Sequence, residues 1–179
     1  DFELRCLHTL QQDLAAPNIP LLIVTAAVYA ALPAQLSELA ARHGIDEVHA
    51  NRQYEVNERA RDDAVGAALG EQGISFRLHE DQCLVPPGSL LKADGTFYSV
   101  FTPFKRIWLQ RLATSGAPLQ PAPRPRRAAF ARSDAIPAQV PGFDSHVEPD
   151  TAAAWWPAGE TAALARLAEF VQDNLAHYD

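Results

Sequence analysis

With 179 residues, 47% of them apolar, the chain is sized for one α/β domain with an appended segment. A net charge of −7 excludes a globally basic nucleic-acid binder, so any DNA contact must come from a local patch or from a part of the protein outside this chain. Cys6 and Cys83 are too few and too far apart for a disulfide framework, and the longest apolar stretch, Ile19 to Leu32, is too short to span a membrane and contains Pro20.

Free thiols suit a reducing compartment, and no basic segment precedes an apolar one at the start, so the reading places the protein in the cytoplasm. The chain contains no Met and opens directly in helical pattern, so residue 1 is not expected to be the natural start.

In chain order, Leu4, Leu7, Leu10 and Leu14 predict a first helix over Asp1 to Leu14, stopped by Pro17-Asn18. Pro20 to Thr25 is a continuous apolar run with β-branched members, which predicts a buried parallel strand. Leu32, Leu36, Leu39 and Ala40 predict a helix over Ala31 to His43, with Gly44 as its stop. Ile45 to Ala50 reads as a second strand. A helix from about Glu55 to Leu69 follows, ended by Gln72-Gly73, and Ile74 to His79 alternates as a third strand. Helix and strand in alternation with short connections predict a Rossmann-like, doubly wound parallel sheet.

The run from Asn51 to Asp62 is then a strand-to-helix corner, the kind of place where ligands bind in an open parallel sheet. Two readings of it stand. In one, Asn57 is a helix cap, Glu58 serves the helix dipole, and Arg59, Arg61, Asp62 and Asp63 form a solvated charged face. In the other, the corner's polar groups grip a heterocycle.

Beyond the third strand, Pro-Gly and Asp-Gly dipeptides mark turns. Thr102 as N-cap and Pro103 at the first position then open a helix expected to bury Phe104, Ile107, Trp108 and Leu112, with Lys105, Arg106 and Arg111 solvated. From Ala113 to Asp150 prolines cluster around Arg124, Arg126, Arg127 and Arg132. This reads as a semi-rigid linker, solubilised by its arginines, with nucleic-acid contact as the alternative. A last helix after Trp155-Trp156 carries Ala163, Leu164, Leu167, Phe170, Val171 and Leu175 on one face, which needs a partner surface. His8, His43, His49, His79, His146 and His177 are scattered without ligand spacing, so no metal site is assigned, and no nucleophile–base constellation is present in the pattern.

Three tracts resemble the DNA photolyase/cryptochrome family: Asn51–Asp62, Tyr98–Leu112 with its Tyr98-Ser99-Val100-Phe101-Thr102-Pro103-Phe104, and Trp155–Phe170. They lie in the family's order, and the first is most like photolyases of the folate-antenna, cyclobutane-dimer type. The resemblance implies an antenna domain over 1–113, incomplete at its N-terminus because the family's opening strands are missing, an interdomain linker over 114–154, and over 155–179 the first helix of a helical FAD domain. It implies a lyase that repairs pyrimidine dimers in damaged DNA with light, FAD as the electron source and 5,10-methenyltetrahydrofolate as the antenna. Glu58 and Asn57 would hold the folate, with Tyr54 as a possible wall of its ring, and Tyr178 would contact the flavin. The full-length protein is expected to be a monomer without membrane attachment, and this portion alone to be inactive, with no catalytic residue of its own. Two alternatives stay open: a cryptochrome photoreceptor of the same architecture, and a stand-alone nucleotide-binding α/β module.

Overall fold

The computed structural model describes residues 2–116, 120–140, 142 and 154–178. Much of the expected linker (117–119, 141 and 143–153) lies outside the described residues, together with His146 and three of its prolines. The chain divides into two units, Val24–Ala122 and a second made of Asp1–Ile23 with Pro123–Asp179.

In the first unit a 3₁₀ turn, Tyr29–Ala31, leads into α2 (Leu32–His43), α1 (Phe2–Ala15) being the N-terminal helix of the other unit. Pro33 sits in the first turn of α2, where its missing N–H breaks no bond, and Gly44 ends the helix in the left-handed conformation at φ 62. Strand β1 (Glu47–Asn51), helix α3 (Val56–Gly70) and strand β2 (Ser75–His79) follow. The strands pair in parallel, from Glu47 opposite Ser75 to Asn51 opposite His79. Parallel neighbours need a crossover, and α3 supplies it. Val48, Ala50, Phe76 and Leu78 point to the half-buried side of this sheet, while Glu47, His49, Asn51, Ser75, Arg77 and His79 form an exposed polar face. The core is Ala40, Val65, Leu69 and Ile74, flanked by Leu36, Ile45, Val48 and Phe76. Leu69 is fully buried, a burial worth about 1.5–3 kcal/mol.

Three expectations need correction. Pro20 to Thr25 joins no ladder, and several of its polar backbone groups are satisfied elsewhere. Leu21 N donates to Ser133 Oγ (3.0 Å), Ile23 N to Asp134 Oδ2 (2.8 Å), and Asp134 N to Leu21 O (2.9 Å). The described sheet therefore has two strands, not three. Helix α4 (Phe101–Ser115) begins two residues earlier than expected, after Val100, with no side-chain cap. Thr102 and Pro103 lie inside its first turn. Nor are its aromatics core: Phe104 is exposed and Ile107, Trp108 and Leu112 only half-buried. Phe104 and Trp108 line an open groove of about 520 Å³ with Val85, Pro86, Phe97 and Tyr98. Apolar periodicity shows which face of a helix avoids water, not whether a neighbour covers it.

In the second unit α1 (Phe2–Ala15) buries Leu4, and Gly159 lies against Thr9 so closely that a Cβ would fall 2.7 Å from Thr9 Oγ1. With φ 95 as well, only glycine fits there. Helix α5 (Glu160–Glu169) follows, prolonged by a π turn (Phe170–Asn174) and a 3₁₀ turn (Leu175–His177).

Candidate functional site

The carboxyl ends of β1 and β2 carry the candidate site. Arg52 N donates to His79 O (2.8 Å), prolonging the pairing by one residue, and the corner 52–55 then turns into α3. Glu55 holds the N-cap position but makes no side-chain cap, and its carboxylate instead accepts from Tyr54 N (3.0 Å). Asn57 is the second residue of α3 and exposed, so it is not the cap.

Glu58 is the third residue of α3, the position that in a capping box folds back to the N-cap amide. Here it reaches outward, and its Oε1 accepts the Tyr29 hydroxyl at 2.8 Å. The Tyr29 ring lies beneath the Arg61 guanidinium, 5.4 Å from its carbon to the ring centroid. Arg61 donates from Nη2 to Gln53 Oε1 (2.8 Å) and from Nε and Nη2 to Asp62 Oδ1 (2.9 and 2.7 Å). Asp62 is 6% exposed, so this ion pair belongs to the interior and not to a solvated face, whereas Arg59 and Asp63 are exposed. Glu58 raises the phenol pKa of Tyr29, first by accepting its hydrogen bond and then by its charge, since ionisation would set two anions side by side.

Polar capacity remains between α2 and α3. The buried oxygens Gln35 Oε1, Ser37 Oγ and Asp62 Oδ2 have no hydrogen-bond partner among the described residues, and no described residue bonds Glu58 Oε2. Glu58 and Asp62, four apart on α3, lie on one side of the helix.

A second cluster stitches the two strand ends. Tyr54 donates its hydroxyl to Glu80 Oε2, and this bond pushes its pKa up to about 12. Arg52 Nε lies 2.7 Å from Glu80 Oε1, an ion pair and not a directed hydrogen bond, and Asn51 Nδ2 donates to Asp81 Oδ2 (3.1 Å). On the exposed sheet face, His49 Nδ1 and His79 Nε2 share a hydrogen bond of 2.7 Å, with rings stacked at 5.0 Å. Arg77 beside Glu47 holds that carboxyl below its ordinary range. No cluster of three or more metal-ligating side chains occurs among the described residues, and no described helix is long and apolar enough to cross a membrane.

Tyr178 belongs to the other unit, is 76% exposed, and meets Phe170 edge-on at 5.6 Å. Of the residues expected at the corner, Glu58 has a fixed partner and Tyr54 is tied to the rim, while Asn57 is exposed and has no side-chain partner among the described residues. Sequence reasoning missed Tyr29, Glu80 and Asp81. The available signal was position: Glu80-Asp81 directly follows β2, and Tyr29 closely follows the first apolar run.

A parallel β–α–β layer with acceptor side chains at its carboxyl rim defines an α/β protein of the kind that binds ligands along that edge. The comparisons are more specific. The DNA photolyase family model matches residues 1–126. The deoxyribodipyrimidine photo-lyase of Escherichia coli (strain K12) is 33% identical over 176 residues, 97% of this chain and 35% of its own length. The Vibrio cholerae protein of the same name is 45% identical over 105 residues, 59% of this chain and 22% of its own. Among solved structures, a bacterial class III photolyase from Agrobacterium tumefaciens matches with a TM-score of 0.66 at 26% identity, over 96% of this chain and 35% of that one. The chain belongs to the DNA photolyase family. It spans about a third or less of the length of these relatives.

Proposed function

We propose that the chain is the antenna-bearing portion of a cytoplasmic deoxyribodipyrimidine photo-lyase, a monomer that repairs cyclobutane pyrimidine dimers in damaged DNA with light. The relatives named deoxyribodipyrimidine photo-lyase support the parent activity, and one observation supports the antenna role. The Glu58 carboxylate stands at the carboxyl rim of the sheet with Oε1 held by Tyr29 and Oε2 unbonded by any described residue.

In this reading FAD supplies, when bound, the electron that splits the dimer, and 5,10-methenyltetrahydrofolate supplies light absorption. The residues of the rim fit a pterin. Its edge presents adjacent N–H donors, and a carboxylate is an acceptor of two such bonds, charge-assisted and therefore strong. Glu58 binds that edge, Tyr29 orients the carboxylate, and Asn57, with both donor and acceptor atoms, meets the opposite polarity. Asp62 stays with Arg61 and keeps this face of α3 in place. Tyr178, exposed and braced by Phe170, offers its hydroxyl to the flavin.

The proposed division is an antenna domain over 1–113, a linker over 114–154 and a helix entering the FAD domain over 155–179. Helix α1 then serves both ends, because Thr9 packs on Gly159 and Arg5 Nη1 donates to Trp156 O (3.1 Å). The test is the full-length protein carrying Glu58→Gln. Replacing the charged acceptor removes about 1.5–3 kcal/mol, so folate affinity falls roughly 10- to 100-fold while repair driven by light that FAD absorbs directly persists. Folate retained at wild-type affinity would remove the role given to Glu58. Light-driven repair absent from the wild type would instead favour a photoreceptor.

A further inference from the structure

We propose that Arg124, Arg126, Arg127 and Arg132 form a preorganised strip that contacts the phosphate backbone of duplex DNA. The proposal rests on the photolyase reading only for the choice of DNA as the polyanion.

Three observations carry it. First, charge: no acidic residue occurs from Gln120 to Ser133, so four positive charges stand in nine residues of a chain whose net charge is −7. Second, availability: all four arginines are exposed, and none takes part in an ion pair among the described residues. Elsewhere Arg42, Arg52, Arg61, Arg77 and Arg166 each have a carboxylate partner. Third, placement: the strip is tied down by its backbone. Arg126 N donates to Pro17 O (2.9 Å), Arg126 O accepts from Asn18 Nδ2 (2.7 Å), and Asp134 closes the far end on Leu21 and Ile23. Pro121 and Pro123 restrict the backbone just before the strip, and Pro125 restricts it between Arg124 and Arg126. A solubilising tail needs charge but no anchoring. Guanidinium groups held on a fixed strap lose less freedom when they meet a row of phosphates.

The ties use main-chain atoms of Arg126, so side-chain substitutions leave the strap in place. The experiment measures binding of the full-length protein to undamaged duplex DNA across a salt series, for wild type and for the combined Arg124→Gln, Arg126→Gln, Arg127→Gln and Arg132→Gln variant. Circular dichroism and thermal melting confirm that the variant folds. Each phosphate contact given up reduces the slope of log affinity against log salt by about 0.9, so the full set predicts a slope shallower by roughly 3 to 4. Single substitutions predict steps of about 0.9. An unchanged slope in a folded variant overturns the strip. So does an unchanged slope accompanied by lost binding to phosphatidylserine vesicles, which would assign the arginines to a membrane surface. Light-driven repair by the wild type is measured in parallel. Its absence would count against the photolyase reading, and the slope would still decide the strip.

Discussion

Tyr54 and Tyr29 each give their hydroxyl hydrogen to a carboxylate, Glu80 and Glu58, and in both the phenol is made harder to ionise. The folded state holds these protons more tightly than the unfolded chain. The stability they contribute is therefore complete below the ordinary tyrosine pKa near 10 and is lost as pH rises toward about 12 for Tyr54. Following tyrosinate absorbance on raising the pH, two of the four tyrosines should ionise late, and Tyr54→Phe should remove the latest component. Ionisation of all four together near pH 10 would contradict the hydrogen bonds assigned here. Tyr29→Phe should weaken folate binding only a few-fold, much less than Glu58→Gln, because it loosens the acceptor without removing it. At this scale the place of Glu58 in the first turn of a helix after a strand was legible. Tyr29 was not, because spacing within one element carries no record of a contact with another 29 positions away.

Elements were read best where a pattern and a stop signal coincide. Helix α2 ends at Gly44 as its sequence predicts, and α3 links β1 to β2 as a crossover. Leu69→Ala, at the centre of that layer, should cost about 2–5 kcal/mol in equilibrium unfolding, and Gly44→Ala about 1 kcal/mol because alanine resists a φ of 62. Pro20 to Thr25 was misread because an apolar β-branched run states a preference for extension and burial, whereas a strand also needs a neighbour. Asp134 and Ser133 take that neighbour's place. Asp134→Ala should therefore speed hydrogen exchange at the Ile23 amide by about tenfold, for loss of one hydrogen bond to a charged acceptor. An unchanged rate would show that the amide is protected in another way. For α4 the face was read correctly and its cover was not: Phe104 and Trp108 border an open groove.

For the molecule as a whole, the family was legible because three separated tracts stood in order, and the match of the DNA photolyase model over residues 1–126 agrees with it. The division into units was not legible. Asp1–Ile23 belongs with Pro123–Asp179, a pairing made by contacts more than a hundred residues apart. On α5 and its extension Leu164, Leu167, Val171 and Leu175 are each more than half exposed, so among the described residues the apolar face that the sequence pattern describes is left uncovered. In the proposed function a light-gathering folate is held at the rim of the sheet by Glu58. Its most direct test is the action spectrum of dimer repair by the full-length protein, wild type against Glu58→Gln. The near-ultraviolet antenna contribution should disappear in the variant while the flavin contribution remains. Superimposable spectra, with folate still bound to the variant, would contradict it.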